Sequence, residues 1–229
     1  MDQKIKSYIK LILKIVGKSL TFLILPFLGY GFGLALWQIV PAFEFQNTEV
    51  VSFAIGFGLF TVFWLIFRRP LQVVCTLEHE ITHLLFALLF LKRPHAFVVT
   101  MKEGGHVKLS GGNFLITLAP YFFPTISYIL LPIAFFIPKQ SMPVYLMILG
   151  ASVAFHLVST WRDLHWEQSD LHNAGILFSL VFLPVANLIF YGALLALAIG
   201  GPEKFLSFWT IGVRESIDFF SVIFEVSVY

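Results

Sequence analysis

Long apolar stretches leave this chain almost no way to fold in water. Stretches of the length that a helix needs to cross a bilayer, about 20 residues, run at Ser19 to Val40, Val50 to Phe67, Leu71 to Leu91, Asn113 to Ile137, Met142 to Thr160 and Ala174 to Gly200. Hydrophobic residues make up 58% of the 229 and charged residues 12%, with a mean hydropathy of +0.86. A soluble domain carries about 25% charged residues. The expected fold is therefore all-α, a polytopic membrane protein with about six transmembrane helices. No soluble domain, internal repeat or low-complexity linker interrupts it, so residues 1–229 read as one membrane domain. A net charge of +2, with no basic patch interleaved with aromatics, excludes nucleic acid as a partner and leaves the lipid bilayer as the first one.

The few charges orient the chain. Lys4, Lys6, Lys10, Lys14 and Lys18 precede the first span, and Arg68 and Arg69 follow the second, whereas the Pro41 to Glu49 loop carries Glu44 and Glu49 and no base. By the positive-inside rule the N-terminus is expected in the cytoplasm, and the protein in the plasma (inner) membrane. No small-x-small cleavage site follows the first apolar run, which reads as a retained anchor. Three prolines, Pro120, Pro124 and Pro132, mark the fourth span for a kink or break. Between glycine pairs, Gly104 to Gly112 alternates as the edge of a short β-hairpin would. Phe205 to Tyr229 mixes aromatics with Arg214, Glu215, Asp218 and Glu225 and is expected as a C-terminal interfacial helix.

Within the third apolar stretch stands His79-Glu80-Ile81-Thr82-His83. Histidines four apart on a helix point the same way one turn up, so two imidazoles can hold one zinc ion. Zinc brings the pKa of a bound water toward neutrality, and the neighbouring Glu80 carboxylate is placed to take its proton and pass it to a leaving amine. A hydrolytic zinc site takes a third protein ligand and keeps one position open. Downstream candidates are Asp163, Asp170, Asp218, His156, His165, Glu167 and His172. The single Cys75 rules out a multi-cysteine site and reads as a small buried filler.

From about Leu71 to Gly192, the motif on an apolar helix, the glycine-rich hairpin-like loop and a later Asp opening a span together resemble the site-2 protease family of intramembrane zinc metallopeptidases. The resemblance implies His79 and His83 as zinc ligands, Glu80 as base and Asp170 as third ligand. It also implies a substrate strand paired near Gly105, His106 and Val107. Gln168-Ser169-Asp170-Leu171-His172-Asn173-Ala174-Gly175 departs from the family's usual Asn-Pro-rich Asp-Gly setting, so Asp163 and His156 stand as alternative ligands. The function implied is a zinc-dependent intramembrane endopeptidase acting on a membrane-spanning or membrane-proximal protein, with Glu80 activating zinc-bound water.

Other classes share parts of this pattern. Intramembrane His and Glu also mark ion or metal transporters, and a catalytically silent scaffold would keep the same helices. A membrane zinc protease of lipidated C-terminal peptides would use a glutamate as third ligand, for which Glu167 is the candidate. Gly29, Gly31, Gly33, Gly56 and Gly58 lack the four-residue spacing that would define a helix-pairing face and an oligomeric state. Topology adds a constraint. Three crossings separate the start of the motif span from the start of the Asp170 span, which a simple serpentine would put on opposite faces. The two meet if the last span begins deep in the bilayer or the proline-bearing span is not a full crossing.

Overall fold

The computed structural model describes residues 3–42, 47–100 and 104–225. Glu44, one of the two acids that orient the chain, lies outside these, as do residues 101–103 of the glycine-rich loop and the last four residues of the expected interfacial helix. The elements are α1 (Gln3–Ile39), α2 (Thr48–Leu89), strands β1 (Pro94–Thr100) and β2 (Gly104–Leu109), the short helices α3 (Phe114–Leu118) and α4 (Thr125–Leu130), α5 (Met142–Asp163), the short α6 (Ser169–Ala174), and α7 (Ile176–Phe224). The expected hairpin is present: β1 and β2 pair antiparallel, with Val98 opposite His106 and Val99 opposite Gly105.

Among the described residues, four helices are long and apolar enough to cross a membrane, or up to five if Phe114–Tyr121 and Thr125–Phe135, which meet at 89°, form one broken span. Of the about six spans expected, two merge into one helix, and a second merger joins the tail to the last of them. Val50 to Phe67 and Leu71 to Leu91 belong to one element, α2, which bends at Phe67 (φ −108°, ψ 22°) ahead of Pro70. Proline lacks the N–H that would bond the carbonyl four residues back and crowds that turn, so the helix yields there without unwinding into a loop. The packing on α5 shows how far it yields. Before the bend, Gly56 lies against Met147 and Phe60 meets Phe155 edge to face. After it, the Gln72 carbonyl accepts from Arg162 and Glu78 faces His156. Pairing runs up α5 and then back down, so α2 doubles back on its partner.

The second merger involves the tail. The interfacial helix is expected over Phe205 to Tyr229, but its part up to Phe224 continues α7 beyond a break at Gly200 and Gly201, the latter at φ +65° and ψ −162°, a conformation open to glycine alone. The segment folds back, setting Trp209 against Phe190 and Phe208 against Gly192. Its aromatic face also packs on α1, where Phe27 meets Phe219 and Phe220 and Phe32 meets Phe208. Gly31 and Gly212 let the backbones approach closely. The charges that suggested an interface lie off this face, with Arg214 bonded to its neighbour Glu215 at 2.9 Å.

The proline-bearing segment is broken as anticipated. Residues 122–124 leave the helix, and Pro124 offers the Pro120 carbonyl no helical donor. Thr160 Oγ1 of α5 answers that carbonyl at 3.3 Å. Around the break Phe122 packs against Phe86 and Phe182, tying the bent pair to α2 and α7.

Candidate metal centre

The returning half of α2 presents the motif to the interior, with His79 and Glu80 buried and their ring and carboxylate facing a shared cavity. His79 and His83 lie edge to face, 4.8 Å between ring centres. His83 Nδ1 donates to the Ile116 carbonyl at 2.8 Å, which leaves Nε2 as the free lone pair. That carbonyl is available because α3 has only five residues and its last carbonyls lack helical donors. Asn113 holds the other end, its side chain accepting from the Ile116 N–H at 2.9 Å.

Asp170 reaches these rings because α5 ends at Asp163, beside the first turns of the returning half of α2. Only residues 164–168 are then needed to carry the chain to α6. This answers the topological constraint: the proline-bearing segment is bent, and the Asp170 helix is a separate short turn ahead of α7. Gly175, at φ +94° and ψ 118°, makes the corner between the two. Asp170 Oδ2 stands 3.5 Å from His79 Nε2 and 3.3 Å from His83 Nε2. One donor atom from each of the three residues lies within 4.8 Å of the others.

These donors fit zinc. Tetrahedral bonds of about 2.0–2.1 Å put donor atoms about 3.3 Å apart, close to the 3.5 and 3.3 Å between Asp170 and the two imidazoles. The two-nitrogen, one-carboxylate set is also a common one for catalytic zinc. Burial pushes the Asp170 carboxyl up, but hydrogen bonds from the two imidazoles outweigh it and hold it well below the usual carboxylate range.

The alternative ligands stand apart from this trio. Asp163 faces the other nitrogen of His79, Nδ1, at 3.6 Å, and Arg162 grips its carboxylate at 2.6 and 2.8 Å. It is placed to orient the ring from behind. His156 lies deeper between α5 and α7, its Nδ1 2.5 Å from the Tyr191 hydroxyl and its Nε2 3.9 Å from Glu78 Oε1. Glu78 Oε1 and His156 Nε2 are buried without a hydrogen-bond partner. Glu167, His165 and His172 are outside the metal-binding group as well.

Four residues around the site are given no role by the sequence reading. Glu78 was overshadowed by its neighbour in the motif, although an acid inside an apolar stretch was itself a cue. Tyr121 donates to Asp170 Oδ2 at 3.1 Å, and nothing in a proline-spaced aromatic run singles it out. Gln168 and Ser169 line the cavity with the ligands.

The cavity itself is about 460 Å³ and is walled on one side by His79, Glu80, His83 and Asp170, on the other by Gly105, His106, Val107 and Leu109 of β2. β2 approaches α2 closely at Gly105, where a side chain would meet Glu80 and Thr76. The hairpin therefore faces the motif across a gap with polar walls.

Fold and site together describe a helical protein with several helices long and apolar enough to cross a membrane and a His–His–Asp group that could hold a metal ion. The Peptidase M50B-like family matches residues 52–218, and the chain belongs to that family, which is a site-2 protease family. Membership points to a zinc-dependent metallopeptidase embedded in a membrane. No curated protein and no solved structure matches the chain.

Proposed function

We propose that this protein is a zinc-dependent intramembrane endopeptidase that hydrolyses a peptide bond in a membrane-spanning or membrane-proximal protein. The observation that carries this reading is the convergence of His79, His83 and Asp170 on one point in a cavity that Glu80 also lines. His79, His83 and Asp170 would hold the ion. When bound, zinc supplies Lewis acidity that polarises the scissile carbonyl and makes water a stronger acid.

The remaining chemistry belongs to the chain. Glu80 takes a proton from the attacking water and delivers it to the amine nitrogen as the C–N bond breaks. Asp163 and the Ile116 carbonyl keep the two rings turned so that both Nε2 atoms face Asp170. A substrate helix must unwind first, because its amides are satisfied internally. Gly105, His106 and Val107 line the cavity and offer an extended segment a strand to pair with. The lysines in the N-terminal half of α1, with Arg68 and Arg69 at the bend of α2, support a plasma-membrane protein with its N-terminus in the cytoplasm.

The test is metal content and turnover of detergent-purified protein side by side. About one zinc per chain is expected in the wild type, lost in His79→Ala, His83→Ala and Asp170→Ala and kept in Asp163→Ala and Glu80→Gln. Glu80→Gln is expected to lose peptide hydrolysis. Zinc-driven flux into vesicles that survives Glu80→Gln would instead identify a transporter, and binding indifferent to both histidines would end the peptidase reading.

A further inference from the structure

The break between α3 and α4 has a consequence at the metal centre. Pro120 and Pro124 bracket a turn that ends one helical piece at Tyr121, and this turn aims the tyrosine across the bundle instead of along it. The side chain is 1% exposed. Its hydroxyl donates to Asp170 Oδ2, the same oxygen that faces both imidazole Nε2 atoms. Its ring meets His79 edge to face, with centres 5.3 Å apart and planes at 87°. Tyr121 is not among the residues that line the cavity.

We propose that Tyr121 is a positioning residue for the metal centre: its hydroxyl fixes which carboxylate oxygen of Asp170 points between the histidines, while its ring sets the tilt of His79. The proposal rests on the zinc site proposed above. A carboxylate on a six-residue helix is free to rotate about its own axis, and a single donor on one oxygen removes that freedom. The same bond draws negative charge from the ligating oxygen, so the metal keeps more of its own charge. Partners of this kind change metal affinity by about 10–100-fold when removed. Thr160 answers the Pro120 carbonyl, and the break can thereby persist between apolar helices.

Tyr121→Phe keeps the ring on His79 and deletes only the hydroxyl. Tyr128→Phe is the matched control, because Tyr128 lies in the same bent segment and its hydroxyl donates to the Phe190 carbonyl at 2.9 Å, away from the site. Zinc affinity is read by chelator competition, and ligand geometry by the visible absorption of the cobalt-substituted protein. Tyr121→Phe is expected to weaken zinc about 10–100-fold and to shift the cobalt bands, with Tyr128→Phe leaving both unchanged. Equal weakening in the two variants, or wild-type affinity and spectrum in Tyr121→Phe, overturns the assignment. Wild-type protein that binds zinc but cleaves no peptide refutes the peptidase reading and leaves this inference standing, whereas wild-type protein that takes up no metal overturns both.

Discussion

Gly105 offers the sharpest way to separate Glu80 from the metal ligands. A Cβ at this position would stand 2.7 Å from Glu80 Cγ, 2.9 Å from Thr76 Cγ2 and 3.2 Å from the Val98 carbonyl oxygen. Carbon atoms pack at about 3.5–4.0 Å, so Gly105→Ala forces either β2 away from α2 or Glu80 out of its position by about 1 Å. The strand is poorly placed to yield alone, since it is bonded to β1, whose Val98 carbonyl closes the third side. Overpacking of this kind costs about 1–3 kcal/mol of stability. A displacement of about 1 Å in a reacting group costs about 100-fold in rate. None of the three atoms nearest the new methyl group belongs to a ligand side chain, so zinc should stay at one per chain. The assay is kcat/KM on a fluorogenic peptide in detergent, with zinc stoichiometry measured on the same sample. Expected are full zinc and turnover reduced about 100-fold. Wild-type turnover in Gly105→Ala, or loss of zinc alongside loss of activity, would refute the idea that the hairpin seats Glu80 against the cavity.

Two further outcomes follow from the packing behind the site. His156→Leu strips the Tyr191 hydroxyl of its partner, leaves Glu78 facing an apolar wall and is expected to cost about 1–3 kcal/mol, yet Glu78→Leu with His156→Leu should cost less than the two singles added. Urea unfolding of the metal-free protein in detergent gives the coupling, and strict additivity would show that the pair does not interact. In the same metal-free state, His83→Ala should be less stable than His79→Ala by about 1 kcal/mol, because it strips the Ile116 carbonyl of a 2.8 Å bond whereas His79 Nδ1 faces Asp163 only at 3.6 Å; equal midpoints for the two variants would contradict this.

The parts of the molecule that were legible in the sequence are those decided within one turn of helix. His79, Glu80 and His83 declare themselves because four residues is one turn, and the spacing alone fixes which side chains share a face. The hairpin declares itself through glycine pairs around an alternating segment. Asp170 is different. Its closeness to the histidines depends on where α5 ends and on the corner at Gly175, so residue chemistry narrowed the field and only the resemblance chose among the candidates. The span count was not legible for a related reason. Hydropathy measures apolar length, but whether Pro70 or Gly200–Gly201 separates two helices or bends one is set by what the two halves pack against. Likewise, Arg214 and Glu215 suggested a surface helix, because an isolated charge in lipid is costly. Nothing local shows that they bond each other while Phe208, Phe219 and Phe220 turn to α1.

The irregular backbone around the metal centre and the centre itself solve one physical problem. In a bilayer a broken helix is tolerated only where its freed carbonyls find donors inside the protein, and three ligands converging from α2 and α6 require such breaks. At the end of α3 the donor to the Ile116 carbonyl is His83, itself a candidate ligand. At the bend the donor to the Pro120 carbonyl is Thr160. At the end of α6 the donor to the Ala174 carbonyl is Lys18 of α1, which lies ahead of the region matched by the family. Two of these three donors belong to helices that carry no ligand, so the positions of α1 and α5 bear on the metal without touching it. The third ties backbone satisfaction directly to imidazole orientation, since the bond that answers Ile116 also selects Nε2 of His83 for the metal. Ligand geometry and the shape of the broken segment are therefore coupled through hydrogen bonds to backbone carbonyls, and a change that straightens the break would be expected to disturb zinc binding even where every ligand is intact.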